Sequence, residues 1–149
     1  MQIKIEKAEL NNSVLNRLIQ LSQEWETENS CFGYCANSKE DIEGKDVFTA
    51  CCKDEIIGYL FGSCKELEER ITPLEKGIKC FELDEIYVEK EFRSKGVGKA
   101  LFEYAEEYFR GTADCIILST AAKNCKSILH FYIENAGMTF LSAKLFKRL

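Results

Sequence analysis

At 149 residues, with 46% hydrophobic and 30% charged residues, the chain has the length and make-up of one globular domain spanning residues 1–149. A chain of this size buries roughly 68–70% of its unfolded surface and needs no covalent staples. The net charge of −5 argues against a general nucleic-acid binder, which carries a basic footprint, and no apolar run is long enough to span a membrane.

The N-terminal residues alternate charge and show no secretory leader; Ile3 and Ile5 share one face of an expected first strand. Asn11-Asn12-Ser13 offers cap residues for a helix from about Val14 to Glu26, with Trp25 at the core or a pocket rim. The polar stretch 27–46 carries Phe32 and Tyr34 and predicts a short helix near Ser38 to Ile42. Val47 to Cys52 and Glu55 to Cys64, split by Lys53-Asp54, read as a hairpin; Gly58 and Gly62 in its second arm point to bulges or a close backbone approach. Residues 65–79, with the only proline, form a charged excursion to which no chemistry is assigned. Gly77 to Val88 predicts a central strand, Gly96 to Arg110 a helix stopped by Gly111, and Asp114 to Ser119 a strand buried on both faces. A helix over Asn124 to Asn135 and two last strands, Met138 to Ser142 and Ala143 to Arg148, complete an α/β chain around a single mixed sheet of six to seven strands flanked by helices.

The eight cysteines include no Cys-x-x-Cys pair and share the chain with one histidine, His130. A zinc site therefore lacks its ligand spacing, and no metal is expected. Reduced thiols serving as small apolar residues, in a cytoplasmic protein, are the expectation. His130 reads as structural or surface.

The central strand and the following helix are joined by Arg93-Ser94-Lys95-Gly96-Val97-Gly98-Lys99, with two glycines, three cations and no acid. Val97, Ala100, Leu101, Tyr104, Ala105, Tyr108 and Phe109 then recur on one helical face. A helix start leaves amides unpaired and carries partial positive charge, and glycines let a phosphate reach that backbone. The stretch reads as a pyrophosphate cradle or as an ordinary strand-turn-helix. Leu101 stands where a dinucleotide fingerprint would place its third glycine, which disfavours that class of binder.

Ile86-Tyr87-Val88 followed by Arg93-x-x-Gly96-x-Gly98 resembles the cofactor motif of the GNAT superfamily of N-acetyltransferases. The resemblance implies the GNAT fold, acetyl-CoA as co-substrate, its pyrophosphate at Arg93 to Lys99, and its pantetheine arm along Ile86, Tyr87 and Val88. It also implies direct transfer of acetyl to a primary amine of a small molecule or peptide in a ternary complex, on a fold that admits a homodimer. Phe131-Tyr132 with Gly137 is similar to the family's late helix, whose tyrosine lies by the CoA sulfur; Tyr132 is thereby the implied acid for the departing thiolate, and a core-edge tyrosine is the plain alternative. This chain has one residue more than the family between that tyrosine and glycine, and one more between Asn124 and Tyr132. Asn124 is implied to contact pantetheine, or else simply caps its helix. For the base, Glu82 and Asp84 share a face of a regular strand and correspond to positions where relatives carry an acid; Glu85 would point the other way unless a bulge intervenes. A non-catalytic acyl-CoA-binding or sensing module on the same fold is the competing reading.

Overall fold

All residues from Met1 to Leu149 are described by the computed structural model. The alternating N-terminus forms strand β1 (Ile3–Lys7), and Asn11 caps helix α1 (Asn12–Glu28) by accepting from the Val14 amide at 2.9 Å. The short helix α2 (Lys39–Ile42) follows, opened by a capping box between Ser38 and Asp41. The hairpin is β2 (Asp46–Cys52) with β3 (Glu55–Glu66), and the central strand is β4 (Lys79–Val88). A single 3-10 turn, Lys90–Phe92, leads through the glycine stretch into α3 (Val97–Phe109), then β5 (Cys115–Ile117) and α4 (Cys125–His130). A π-turn at Phe131–Asn135 continues α4.

The sheet order is β1-β2-β3-β4-β5, antiparallel except for the parallel β4–β5 pair. Its two faces carry separate cores. Phe48, Leu60, Phe81 and Leu83 pack under α3 through Val97, Leu101, Phe102 and Phe109. Val47, Tyr59, Phe61 and Tyr87 pack under α1 through Leu15, Leu18 and Leu21. Leu18, Leu21 and Leu101 are fully buried, so truncating any one to alanine costs about 2–5 kcal/mol. The buried face of α3 is rotated from the one the periodicity predicts: Phe102 is inside, while Tyr104 and Tyr108 stay half exposed with their edges on Phe48.

A bulge interrupts β3–β4. Phe61 faces Glu85 and Gly62 faces Leu83, which leaves Asp84 without a partner. Gly62 permits it, since a Cβ there would run into the Glu82 carbonyl oxygen; Gly58 is held similarly close to the Tyr87 carbonyl. The extra residue reverses the alternation. Phe81 and Leu83 face α3 before the bulge, and Ile86 and Val88 face it after. The reversal brings Glu85 onto the α1 face with Tyr87, where its carboxylate meets the Tyr59 hydroxyl.

The sheet has five strands, not six to seven. Residues 138–149 alternate as strands should, but an alternating pattern forms a strand only where an edge pairs with it. β5 pairs over three residues, against β4 alone, and its residues are half-buried, not enclosed on both faces. The last segment makes no ladder, and Phe140, Leu145 and Phe146 are exposed.

Candidate active site

Gly96 takes a left-handed conformation (φ 82°) at the start of α3, a geometry that glycine adopts without steric cost. The first intrahelical bond runs from the Ala100 amide to the Gly96 carbonyl at 2.9 Å, and no side chain caps the helix. The amides of Val97, Gly98 and Lys99 are thus the unpaired donors of this helix start. Val97 has its side chain in the core, so only its backbone is on offer. Ser94 is also left-handed (φ 60°), which turns the chain between Arg93 and the helix. A Cβ on Gly98 would sit 3.5 Å from the Phe131 ring, so the lack of one keeps a gap between α3 and the α4 segment.

The three cations of the turn are placed differently. Arg93 donates to the Val88 carbonyl at 2.7 Å and to the Glu28 carboxylate at 2.6 Å, with its guanidinium 5.1 Å from the centre of the Tyr87 ring. Lys95 donates to the Glu91 carbonyl, and Lys99 lies 3.6 Å from Glu103 on the exposed helix face. Glu28 also accepts from the Tyr87 hydroxyl at 2.8 Å. Burial alone would raise the Glu28 pKa, but the hydrogen bonds from Arg93 and Tyr87 and the nearby positive charge outweigh it and hold the carboxyl below its usual range.

β4 pairs with β5 only as far as Glu82↔Ile117. From Leu83 to Val88 its β5-side edge is free of strand partners. Ile86 and Val88 turn toward α3, and Tyr87 turns toward α1. Asn124 caps α4, accepting from the Ser127 amide at 3.4 Å, so its carboxamide oxygen is engaged by the helix.

Beside this free edge lies a cleft of about 260 Å³ lined by Trp25, Tyr34, Leu83, Asp84, Glu85 and Tyr132, among others. Tyr132 stands in the π-turn, where the Ala136 amide bonds the Phe131 carbonyl at 2.9 Å. A π-turn holds one residue more between its hydrogen-bonded ends than an α-turn does, and this one lies on the stretch that joins Tyr132 to Gly137. Tyr132 is only 7% exposed, and burial pushes its pKa up to about 12, so its phenol is protonated at neutral pH.

The three acids of β4 have different surroundings. Glu82 is ion-paired to Lys65 on an exposed part of β3 and β4. Asp84, in the bulge, is held by Lys45 at 2.8 Å. Glu85 has no cationic partner. Its Oε2 accepts from Asn37 at 2.8 Å, Tyr59 at 2.9 Å and Tyr34 at 3.3 Å. Burial raises its pKa, only partly offset by these hydrogen bonds, and the neighbouring Asp84 adds to the rise. The Asn37, Tyr59 and Tyr34 cluster escaped sequence reasoning because the loop that holds Tyr34 and Asn37, the strand that holds Tyr59 and Glu85 itself are far apart in the chain; Gly62, as a bulge signal, was the local clue to where Glu85 points. Trp25 stacks on Tyr34 with ring centres 4.2 Å apart and completes the wall, at the pocket rim.

A larger groove of about 510 Å³ runs along the open side of β5, between Phe109 and Met138, away from the cradle. No group of three or more His, Cys, Asp or Glu side chains is placed to hold a metal, all eight cysteines are free, and no helix is long and apolar enough to cross a membrane.

The profile of the Acetyltransferase (GNAT) family matches residues 15–138. No curated protein sequence matches the chain. Among solved structures, the fold is similar to an aminoglycoside acetyltransferase, meta-AAC0020, from an uncultured soil metagenomic sample, at 18% identity and a TM-score of 0.69 over 99% of this chain and 96% of that one. It is also similar to a ribosomal-protein-alanine N-acetyltransferase from Brucella melitensis biovar Abortus 2308, at 16% identity and 0.66, over 99% and 100%. A third is the aminoglycoside N-acetyltransferase AAC(6')-Iy in complex with CoA, at 17% identity and 0.66, over 99% and 98%.

Proposed function

Because the chain belongs to the GNAT acetyltransferase family, we propose that it is an acetyl-CoA-dependent N-acetyltransferase that acylates a primary amine of a small molecule or peptide by direct transfer. The observation that carries this reading is the free edge left where β4 parts from β5: the unpaired α3 amides follow it in the chain, and the cleft it borders holds the protonated, buried Tyr132. The residues suit the group they would hold. The amides of Val97, Gly98 and Lys99, with Arg93, Ser94 and Lys95, would receive the pyrophosphate. The free edge at Ile86, Tyr87 and Val88 would pair with the amide-bearing arm, and the Asn124 carboxamide, at the start of α4, would be a further contact for it.

Acetyl-CoA supplies an acyl group activated as a thioester. An amine near pKa ~10.4 reaches the site mostly as ammonium and must lose a proton before its lone pair attacks. Glu85, the β4 acid in the cleft without a counter-ion, takes that proton directly or through water; Asp84, which also lines the cleft, and Glu82 are the other acids this strand offers. Tyr132 donates its proton to the sulfur as the C–S bond breaks, and the hydroxyl is recharged from solvent. The elements from residue 1 to 149 act as one domain in this reading, in a reduced cytoplasmic setting that keeps the thiols free. The same reading includes a homodimer, supported by the exposed apolar side chains of the last segment; monomeric mass by light scattering at micromolar concentration would remove it.

The test is a screen of amines with acetyl-CoA, monitored by free CoA release. Saturating acetyl-CoA at ~100 times Kd should stabilise the fold by about 2.7 kcal/mol. Strong stabilisation with no CoA release from any amine would favour an acyl-CoA-binding module. No stabilisation at all would remove both readings.

A further inference from the structure

We infer that the cleft at Glu85 selects an acceptor whose primary ammonium sits on a slender apolar arm with no anionic group near the nitrogen. This rests on the acetyltransferase reading and specifies the acceptor class of the same site.

Charge is the first argument. The lining of the cleft holds two carboxylates, Asp84 and Glu85, and no lysine or arginine. Lys45 compensates Asp84. Glu85 is left as a largely buried carboxylate in no ion pair, and burial of an unpaired charge is costly enough that a cationic ligand gains by neutralising it. All three of its protein hydrogen bonds converge on Oε2, which locks the carboxylate plane and leaves Oε1 as the acceptor for a ligand. Tyr132, nine-tenths buried, brings a hydroxyl without a protein partner into the same cleft.

Shape is the second. The walls are apolar and aromatic, with Trp25, Phe32 and Tyr34 on the α1 side. Aromatic faces attract an ammonium and pack against methylene groups. At about 260 Å³ the cleft falls below the ~300–1,000 Å³ of sites that enclose a drug-sized ligand. It takes an arm, and any bulky remainder of the acceptor stays outside. An α- or β-amino acid would carry its own carboxylate in against Asp84 and Glu85. Lys123 lies outside the lining, over the Phe32 ring and bonded to Asn29.

Trp25 is the only tryptophan in the chain and lines the cleft, so its fluorescence reports occupancy without turnover. The full-length protein is titrated with isopentylamine and with β-alanine, which match in shape and differ in the carboxylate. The expected result is a saturable change with isopentylamine and binding of β-alanine weaker by on the order of 100-fold, because like-charge juxtaposition costs several kcal/mol. Glu85→Gln should weaken isopentylamine and narrow that gap, and Tyr34→Phe, which keeps the ring, should do so to a smaller degree. Equal affinities, tighter β-alanine binding through Lys123, or no response to isopentylamine in the folded parent would each overturn the inference. CoA release is measured on the same pair. The predicted binding order without CoA release from any amine would fault the acetyltransferase reading alone. CoA release without the order would fault the acceptor class alone.

Discussion

Glu28 holds Arg93: the carboxylate at the end of α1 accepts from the guanidinium at 2.6 Å, and it accepts from Tyr87 on β4 as well. Arg93 is the cation that the proposed pyrophosphate would need, so an anionic ligand and Glu28 compete for it. Exposed ion pairs are worth ~0.2–1 kcal/mol, so Glu28→Gln should tighten CoA binding by about twofold to fivefold. The gain should shrink as salt rises. Titration calorimetry at two salt concentrations checks this; weaker binding in Glu28→Gln would instead make Glu28 the residue that positions Arg93.

The two glycines of the cradle should fail differently. At Gly96 a Cβ meets nothing within 4 Å, but the left-handed backbone costs any other residue about 1–2 kcal/mol. Gly96→Ala should therefore lower stability by about that amount. Gly98 is inside the helix, where alanine gains roughly 0.5–1 kcal/mol over glycine, and its Cβ would only touch Phe131. Gly98→Ala should keep or raise Tm while weakening CoA, and Gly98→Val should abolish CoA binding. Thermal melts with and without CoA separate the two effects; unchanged CoA affinity in Gly96→Val and Gly98→Val would end the cradle assignment.

Tyr132→Phe should lower kcat by roughly tenfold to a few hundredfold and leave acetyl-CoA affinity nearly intact, since the proton is used only in the transition state. A thiolate leaving group resembling cysteine, near pKa ~8.5, is good enough to keep the loss at the low end of general acid catalysis. With the phenol pKa pushed up to about 12, the parent should show no loss of acid form below about pH 10. A kcat within twofold of the parent, with chemistry rate-limiting, would assign Tyr132 to packing.

The pH dependence should carry the mark of Glu85. Its carboxyl is raised by burial and by the neighbouring Asp84, more than the hydrogen bonds from Asn37, Tyr59 and Tyr34 lower it, so as pH falls the base is lost earlier than an ordinary glutamate would be. The acid limb of kcat/KM should lie above the usual carboxylate range and disappear in Glu85→Gln. Stability has the matching sign. A raised folded pKa gives stability that is present below the unfolded value and lost as pH rises through the folded one. Glu28, with its pKa lowered, does the opposite: its contribution is present above the unfolded value and lost as pH falls through the folded one. Acid-range melts of Glu85→Gln and Glu28→Gln should therefore diverge from the parent in opposite directions. Parallel shifts would contradict the assigned environments.

Elements whose signals are local were legible in the chain. The Asn11 cap, the α2 box, the hairpin at Lys53-Asp54 and the glycine turn before α3 each follow from a few adjacent residues and their backbone preferences. The family motif at Arg93 to Gly98 is local in the same sense. Three things required the folded chain. Strand pairing decides whether an alternating segment becomes a strand, and residues 138–149 have the alternation without the partner edge. The one-residue register shift opposite Gly62 decides which face Glu85 takes, because side-chain direction has a period of two and a single extra residue inverts it. The surroundings of each acid decide its chemistry. Lys65 and Lys45 neutralise Glu82 and Asp84, whereas Asn37, Tyr59 and Tyr34 reach Glu85 from distant parts of the chain without bringing a charge. A carboxylate's desolvation and counter-ions are properties of the space around it, and that space is assembled only when the sheet and α1 come together.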